Sequence, residues 1–351
     1  MQHATRHSHN HRLIHTIHRA LLHAMWLCAL LLAGCTNTPA TSTSTPGASH
    51  YVVPSNTLPI NAPVTTTGCG LAPSVTPGIS VNVTIAAHPA EAIGHTTRMY
   101  RIHLPRRYNN MTPVAVVLAF HGFGGTAAGM EGSGFSTLAD SQDFIAVYPQ
   151  GLNEPGAGKP FWAEIGPIDF GDDDVLFVSN ILDDLQKKFC VDAHRIYATG
   201  FSNGGGMTTL LACRFAGRIA AFAPISGNDY AIPGGCHPGR PVPLINMHGS
   251  ADPLLPYNGS PSNQSPDWTL SSLPAYLHAW AVRDGCTQGP TIFLRQPGHP
   301  GVTGMRWTGC QGNVSVVHYR IDGGGHHWPP SIEGQPATEV LWHFFQQYTL
   351  P

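Results

Sequence analysis

The sequence predicts an α/β fold, a mostly parallel sheet with helices on both faces, and three observations carry that expectation. Short runs rich in β-branched and aromatic residues alternate with stretches of helical period, the pattern of strand–helix–strand units. Several of the strand-like runs are continuously apolar, as strands buried on both faces must be. The chain has 351 residues, 42% of them hydrophobic, enough for one large core.

Composition narrows the function classes. Only 11% of residues are charged, less than half of the roughly 25% of ordinary soluble domains. With 18 basic and 20 acidic side chains the formal charge is −2. A nucleic-acid partner is therefore not expected, because phosphate neutralisation needs a basic surface. The 39 glycines and 31 prolines, one residue in five, mean many turns, and the low charge speaks against a long coiled coil.

The N-terminus reads as an export signal. Three arginines (Arg6, Arg12, Arg19) precede an apolar run of about 15 residues from Ala20 to Gly34, and no acid occurs before Glu91. A bilayer span needs ~20 apolar residues, so this run fits a signal-peptide core instead. It closes on Leu32-Ala33-Gly34-Cys35, which resembles the bacterial lipobox, in which the cysteine becomes lipid-modified. Residues 1–34 are thus expected to be a lipoprotein signal peptide. The Thr/Ser/Pro-rich stretch 35–67 would be a lipidated Cys35 and its flexible tether, and residues 68–351 the folded domain. Ordinary cleavage beside an incidental cysteine is the alternative. Removal of 1–34 leaves 15 basic and 20 acidic side chains, a charge of −5. The histidines at 7, 9 and 11 fall in the removed segment and are not read as a metal site.

Within the domain, strands are expected at Met99–Leu104, Val114–Phe120, Phe144–Tyr148, Arg195–Thr199, Ile219–Ile225, Val242–Met247 and Val314–Ile321. Helices are expected at Ala127–Asp140, Asp174–Phe189, Asn203–Phe215, Leu270–Asp284 and Ala337–Tyr348. The clearest helix, 174–189, places apolar residues at 175, 178, 182, 185 and 189, with acids at its start and Lys187-Lys188 at its end. Its acidic run Asp172–Asp174 reads as an N-cap in preference to a calcium site. Residues 285–308 read as an inserted hairpin closed by flanking cysteines. Six cysteines remain after Cys28 and Cys35 are set aside. An even number in an exported protein favours disulfides, and proximity along the chain suggests Cys213–Cys236 and Cys286–Cys310, leaving Cys69–Cys190. No Cys-x-x-Cys pair suggests zinc.

The chemistry-bearing residues lie at strand ends. Gly200-Phe-Ser202-Asn-Gly204 is a Gly-x-Ser-x-Gly with a strand running in and a helix running out. That context turns weak letters into a nucleophile elbow, a tight turn that exposes the serine above the sheet. A serine hydroxyl needs a base oriented by an acid. In chain order the partners come later: Asp252, in His248-Gly-Ser-Ala-Asp252-Pro after the strand 242–247, and His326, in Asp322-Gly-Gly-Gly-His326-His327-Trp328 after the strand 314–321. Asp229 and Asp284 are weaker rivals for the acid, and His327 for the base. The glycine-rich loop His121-Gly-Phe-Gly-Gly125 follows the strand 114–120. It can aim backbone N–H groups at an oxyanion, with Phe123 and then Gly124 as donors beside the N–H of Asn203. His121 reads as a brace for that loop, not a base. Trp162 and Trp328 are candidates for an aromatic wall of the substrate pocket, with core packing the competing reading for each.

Taken together, His121-Gly-x-Gly-Gly, Ala198-Thr-Gly-Phe-Ser-Asn-Gly-Gly205, His248-Gly-Ser-Ala-Asp-Pro253 and Gly323-Gly-Gly-His-His-Trp-Pro329 resemble the polyhydroxybutyrate depolymerase/feruloyl esterase family of secreted α/β-hydrolases. The resemblance spans nearly all of residues 68–351. It implies the α/β-hydrolase fold and hydrolysis of carboxylic esters by Ser202, His326 and Asp252, without a cofactor or metal. The cysteines at 213, 236, 286 and 310 fall where such proteins carry them. His327 departs from the small polar residue expected there, which bears on pocket polarity. No added polymer-binding domain is recognised, which tilts the expectation toward feruloyl- or acetyl-type side groups of plant polysaccharide or short hydroxyalkanoate esters. A depolymerase proper, a serine peptidase and a non-catalytic binding lipoprotein are the alternatives. The expected protein is monomeric, exported, and membrane-associated through its lipid alone. Six of the 20 acids lie between Asp169 and Asp184, so the rest of the surface is expected to be neutral and to meet uncharged esters without electrostatic steering.

Overall fold

The computed structural model describes residues 66–87, 95–153, 158–163, 173–227, 232, 234–260, 270–298 and 301–351. The chain divides into units 1–56 and 57–351, and every described residue belongs to the second. The leader 1–34, Cys35 and the tether as far as residue 65 lie outside the described residues, as do Asp172 and Asp229.

In chain order the strands are β1 (Val81–Ala86), β2 (Thr97–His103) and β3 (Val114–Phe120), followed by helices α1 (Ala127–Glu131) and α2 (Phe135–Gln142). Strand β4 (Ile145–Pro149) and the short pair β5 (Leu152–Asn153) and β6 (Pro160–Phe161) precede α3 (Asp174–Lys188), β7 (Val191–Phe201) and α4 (Asn203–Arg214). Then come β8 (Ala221–Ile225), β9 (Leu244–Gly249), α5 (Leu273–Arg283), β10 (Gln288–Gln296), β11 (Gly301–Thr308) and β12 (Val316–Asp322). A small ladder, β13 (Ser331–Ile332) with β14 (Gln335–Pro336), leads into α6 (Ala337–Phe345).

Ten strands form one sheet in the order β1-β2-β4-β3-β7-β8-β9-β12-β11-β10. The six central strands, β4 to β12 in that order, are mutually parallel, and two antiparallel strands finish each edge. Strand β3 shows why both faces are covered. Val114, Val116, Leu118 and Phe120 enter one apolar layer, with α3, α4 and α5, while Ala115, Val117 and Ala119 enter the other, with α2 and α6. Alternate side chains of a strand point to opposite faces, so a strand apolar at every position needs helices on both sides. Helix α3 buries Phe177, Val178, Ile181, Leu182 and Leu185, and Asp173 caps it by accepting from Leu176 N–H at 3.0 Å. Trp342 of α6 stacks on Phe144 with ring centroids 4.4 Å apart.

Three departures from the sequence reading have physical causes. The helix expected over 127–140 is two helices, because Gly132-Ser-Gly134 interrupts it and Gly134 takes a left-handed φ of 102°. The hairpin expected at 285–308 is no free insertion: β11 pairs with β12, so the hairpin extends the sheet edge. Strand β1 was not anticipated, although its half-exposed Val-Asn-Val-Thr-Ile-Ala alternates as an edge strand should. Disulfides join Cys69–Cys190, Cys213–Cys236 and Cys286–Cys310, the pairing that proximity suggested.

Asp284 is a buried carboxylate at the far end of β9's entry. Its Oδ1 accepts the Val242 N–H at 2.9 Å, so it serves the fold and not the site. Burial pushes its carboxyl up to about 6, against the smaller pull of that N–H and of Arg240 and Arg283. The folded state therefore binds this proton more tightly than the unfolded chain, whose value is 3.8. Its contribution to stability is full below the unfolded value and is lost as pH rises to about 6. Asp284→Asn is expected to remove that decline. Urea unfolding of both proteins at pH 4, 5, 6 and 7 checks it, and parallel curves would refute it.

Candidate active site

The turn between β7 and α4 is built by glycine. A Cβ on Gly200 would collide with the Gly204 carbonyl, and one on Gly204 would collide with the Phe120 carbonyl oxygen and stand 2.6 Å from that of His121. Only hydrogen fits between the turn and the end of β3, so the first turn of α4 sits directly against the loop that follows β3. Ser202 between them takes φ 57°, ψ −121°, a conformation costly for a residue with a Cβ. The turn is held by Ser202 N–H to Ile225 O at 2.9 Å and by Gly205 and Gly206 N–H to Ser202 O. The result is a half-buried hydroxyl at the mouth of a helix N-terminus.

Residues from the ends of two further parallel strands meet it. His326, after β12, has Nε2 2.8 Å from Ser202 Oγ and Nδ1 2.7 Å from Asp252 Oδ2. Asp252, after β9, is buried, and its Oδ1 accepts the N–H groups of Leu254 and Leu255, each at 2.9 Å. Burial alone would push its carboxyl up. The hydrogen bonds from His248, His326, Leu255 and Leu254 outweigh that and hold it well below the usual carboxylate range. The carboxylate is thus ionised and fully satisfied, and it fixes the imidazole whose other nitrogen faces the serine. Such an arrangement can deliver a serine alkoxide to an electrophilic carbon. Of the rivals, Asp284 is remote and His327 is exposed, its carbonyl 3.4 Å from Ser226 Oγ.

The loop after β3 corrects one expectation. Gly124 N–H is committed to Pro160 O at 2.7 Å, and Gly125 N–H to Gly122 O, so Gly124 is no oxyanion donor. The N–H groups of Phe123 and Asn203 have no partner among the described residues, Asn203 supplying one of the orphan donors that every helix start leaves. Gly122 lies against the serine: a Cβ there would stand 3.2 Å from Ser202 Cβ. His121 braces the loop, Nδ1–H donating to Gly122 O at 2.8 Å and Nε2 accepting from Gly151 N–H at 3.0 Å. Burial holds its pKa below the ordinary histidine value, which suits a neutral structural ring.

Trp162 is not a pocket wall. It is 1% exposed, its indole N–H donates to His121 O at 2.8 Å, and its ring meets Phe120 edge-on. The Asn203 side chain clamps its backbone in both directions, accepting from Trp162 N–H at 2.7 Å and donating to Trp162 O at 3.0 Å. Nothing in the sequence pairs Asn203 with a residue 41 positions away, and both side chains therefore serve the loop geometry. Trp328 does line a cleft. Together with Phe201, Met130, Pro329 and Thr338 it bounds about 470 Å³ without one charged lining residue, and the Phe201 ring stands 5.0 Å from that of His326. His327 lies outside that lining. No group of His, Cys, Asp and Glu suited to a metal ion occurs among the described residues.

No family model matches the chain. It is 33% identical over 257 residues to feruloyl esterase B of Piromyces equi, covering 71% of this chain and 45% of that protein, so it spans less than half of that relative's length. It is 30% identical over 306 residues to feruloyl esterase D of Neurospora crassa, covering 82% of this chain and 92% of the relative. Among solved structures it superposes on the acetyl xylan esterase from Aspergillus awamori with a TM-score of 0.53 and 18% identity, covering 76% of this chain and 99% of that one.

Proposed function

Because the chain belongs to the feruloyl esterase family of α/β-hydrolases, we propose that it hydrolyses carboxylic esters through Ser202, His326 and Asp252 by way of an acyl-enzyme. The observation that carries this reading is the hydrogen-bonded run of Ser202 Oγ, His326 and Asp252 at 2.8 and 2.7 Å, from residues far apart in sequence.

Ser202 Oγ attacks the ester carbonyl carbon while His326 Nε2 takes its proton, and ionised Asp252 stabilises the imidazolium. The carbonyl π electrons move to oxygen, and the N–H groups of Asn203 and Phe123 hold that oxyanion. Collapse expels the alcohol, which receives the proton from His326. Water then attacks the acyl-enzyme by the same two proton transfers, releasing the acid and restoring Ser202. No cofactor enters any step.

For the substrate, an uncharged cleft beside the site, lined by Trp328 and by Phe201, whose ring stands 5.0 Å from that of His326, supports a neutral, largely apolar group on the ester. Feruloyl- or acetyl-type side groups of plant polysaccharide fit this, as do short hydroxyalkanoate esters. Three disulfides support an extracellular setting. The run Leu32–Cys35 supports lipidation at Cys35 and attachment of domain 68–351 to a bacterial envelope through the tether.

Labelling with a fluorophosphonate tests the chemistry. One adduct at Ser202 is expected, absent in Ser202→Ala, and a protein that hydrolyses esters without such an adduct would overturn the reading. Turnover of feruloyl, acetyl and hydroxybutyrate esters against a peptide amide separates the substrate classes.

A further inference from the structure

The acid of the site has a second histidine on it. His248 is the fifth residue of β9, fully buried. Its Nε2 is 2.8 Å from Leu255 O and 3.3 Å from Asp252 Oδ2. A carbonyl oxygen only accepts, so Nε2 carries the proton, and that one N–H is shared between Leu255 O and Asp252 Oδ2. Leu255 N–H in turn donates to Asp252 Oδ1. The carboxylate and residues 252–255 are therefore tied to β9 by His248 at one end and to themselves at the other. His248 Nδ1 is buried with no partner among the described residues, so Nε2–H is the one polar contact by which the ring is anchored.

We infer that His248 is a positioning residue: its Nε2–H fixes the Asp252 carboxylate so that Oδ2 faces His326 Nδ1, and it takes up part of the negative charge that His326 would otherwise see. The inference rests on the esterase reading above. Two consequences follow from removing the donor. Asp252, still held at Oδ1 by the Leu254 and Leu255 N–H groups, keeps its bond to His326 but aims the imidazole less tightly, and an orientation error in a reacting group is costly, on the order of 10–100-fold in rate. The carboxylate also becomes less neutralised by hydrogen bonds, so it favours the imidazolium of His326. A base must be neutral to act, so the acidic limb of the pH–rate profile moves to higher pH.

The surroundings carry few other charges. Tyr257 stands 6.1 Å from His248, ring to ring, and its hydroxyl meets His318 Nε2 at 3.0 Å. Burial, and then the nearby His248, push His318 down to about 3, so it stays neutral at working pH. Arg320 faces His248 across the β9–β12 pairing and is matched by Asp322 at 2.5 Å. Ser202 and Asp252 are the polar groups that touch His326, with His327 next to it in the chain.

The test compares His248→Leu, His248→Gln and His248→Asn. A glutamine amide nitrogen reaches the position of Nε2, whereas an asparagine amide reaches only that of Nδ1. Expected for Leu and Asn is a fall in kcat of about tenfold or more, little change in KM, and an acidic limb displaced upward. Gln should restore kcat to within a few-fold and return the limb. Titration of His326 followed by imidazole NMR reads the same displacement without turnover, so loss of this inference and loss of the esterase reading are distinguishable. Equal behaviour of Gln and Asn, or a folded Leu variant with an unmoved titration, would overturn the inference. Should the Leu variant not fold, the Gln–Asn pair decides.

Discussion

Asp252→Asn is expected to lower kcat by about 10⁴-fold at neutral pH while the protein stays folded. The reason lies in which oxygen is spoken for. Oδ1 accepts two backbone N–H groups, from Leu254 and Leu255, so the asparagine must place its oxygen there and its NH₂ where Oδ2 was. That NH₂ then points at His326 Nδ1, which can only accept from it. The proton of His326 is driven to Nε2, and the ring becomes a donor to Ser202 instead of a base. Steady-state kinetics on a neutral aryl ester, with circular dichroism to confirm folding, measures this. A loss below tenfold would mean that Asp252 does not set the tautomer.

Gly204→Ala should damage both stability and rate. The added Cβ would collide with the Phe120 carbonyl and stand 2.6 Å from the His121 carbonyl, both backbone atoms with no rotamer to escape into. Overpacking of this kind costs about 1–3 kcal/mol and at times more. The strain can be relieved only by moving the first turn of α4 away from the loop 121–125, which separates the N–H of Asn203 from that of Phe123. Loss of an oxyanion donor costs roughly 10²–10³-fold in kcat. A lowered midpoint in thermal unfolding together with a fall in kcat of about 100-fold is the expected result. A variant of native activity would show that the contact between turn and loop does not position the donors.

The order of strands and helices was legible because local chemistry enforces it. Val114–Phe120 is apolar throughout and could only be a doubly covered strand, and it occupies those residues. The longest strand not legible, β1, is an edge strand half exposed to water, where burial places little demand on sequence, and the two-residue strands β5, β6, β13 and β14 are too short to leave a pattern. The helix break at Gly132–Gly134 is not legible in the sequence because glycine costs a helix only ~1 kcal/mol, and here the left-handed φ of Gly134 tips the balance. At the candidate site, Ser202, Asp252 and His326 were readable because each follows a buried strand in a glycine-rich turn. The donors were less so. Gly124 and Phe123 are adjacent in sequence, and only the bond from Gly124 N–H to Pro160 O separates a spent donor from an open one.

What the sequence by itself determined is the set of residues that can carry the chemistry, and the strand ends at which they sit. Glycines at 200 and 204 are demanded by the turn, and continuous apolar strands demand helices on both faces. What only the tertiary structure decided is which groups meet. Trp162 turns inward to hold His121 and is itself held by Asn203, while Trp328 faces the cleft. His248 lies under Asp252 with its donor on the carboxylate. A hydrogen bond is made or lost within a few tenths of an ångström, and distances between strand ends far apart in the chain are set by packing the whole sheet, which no local pattern encodes.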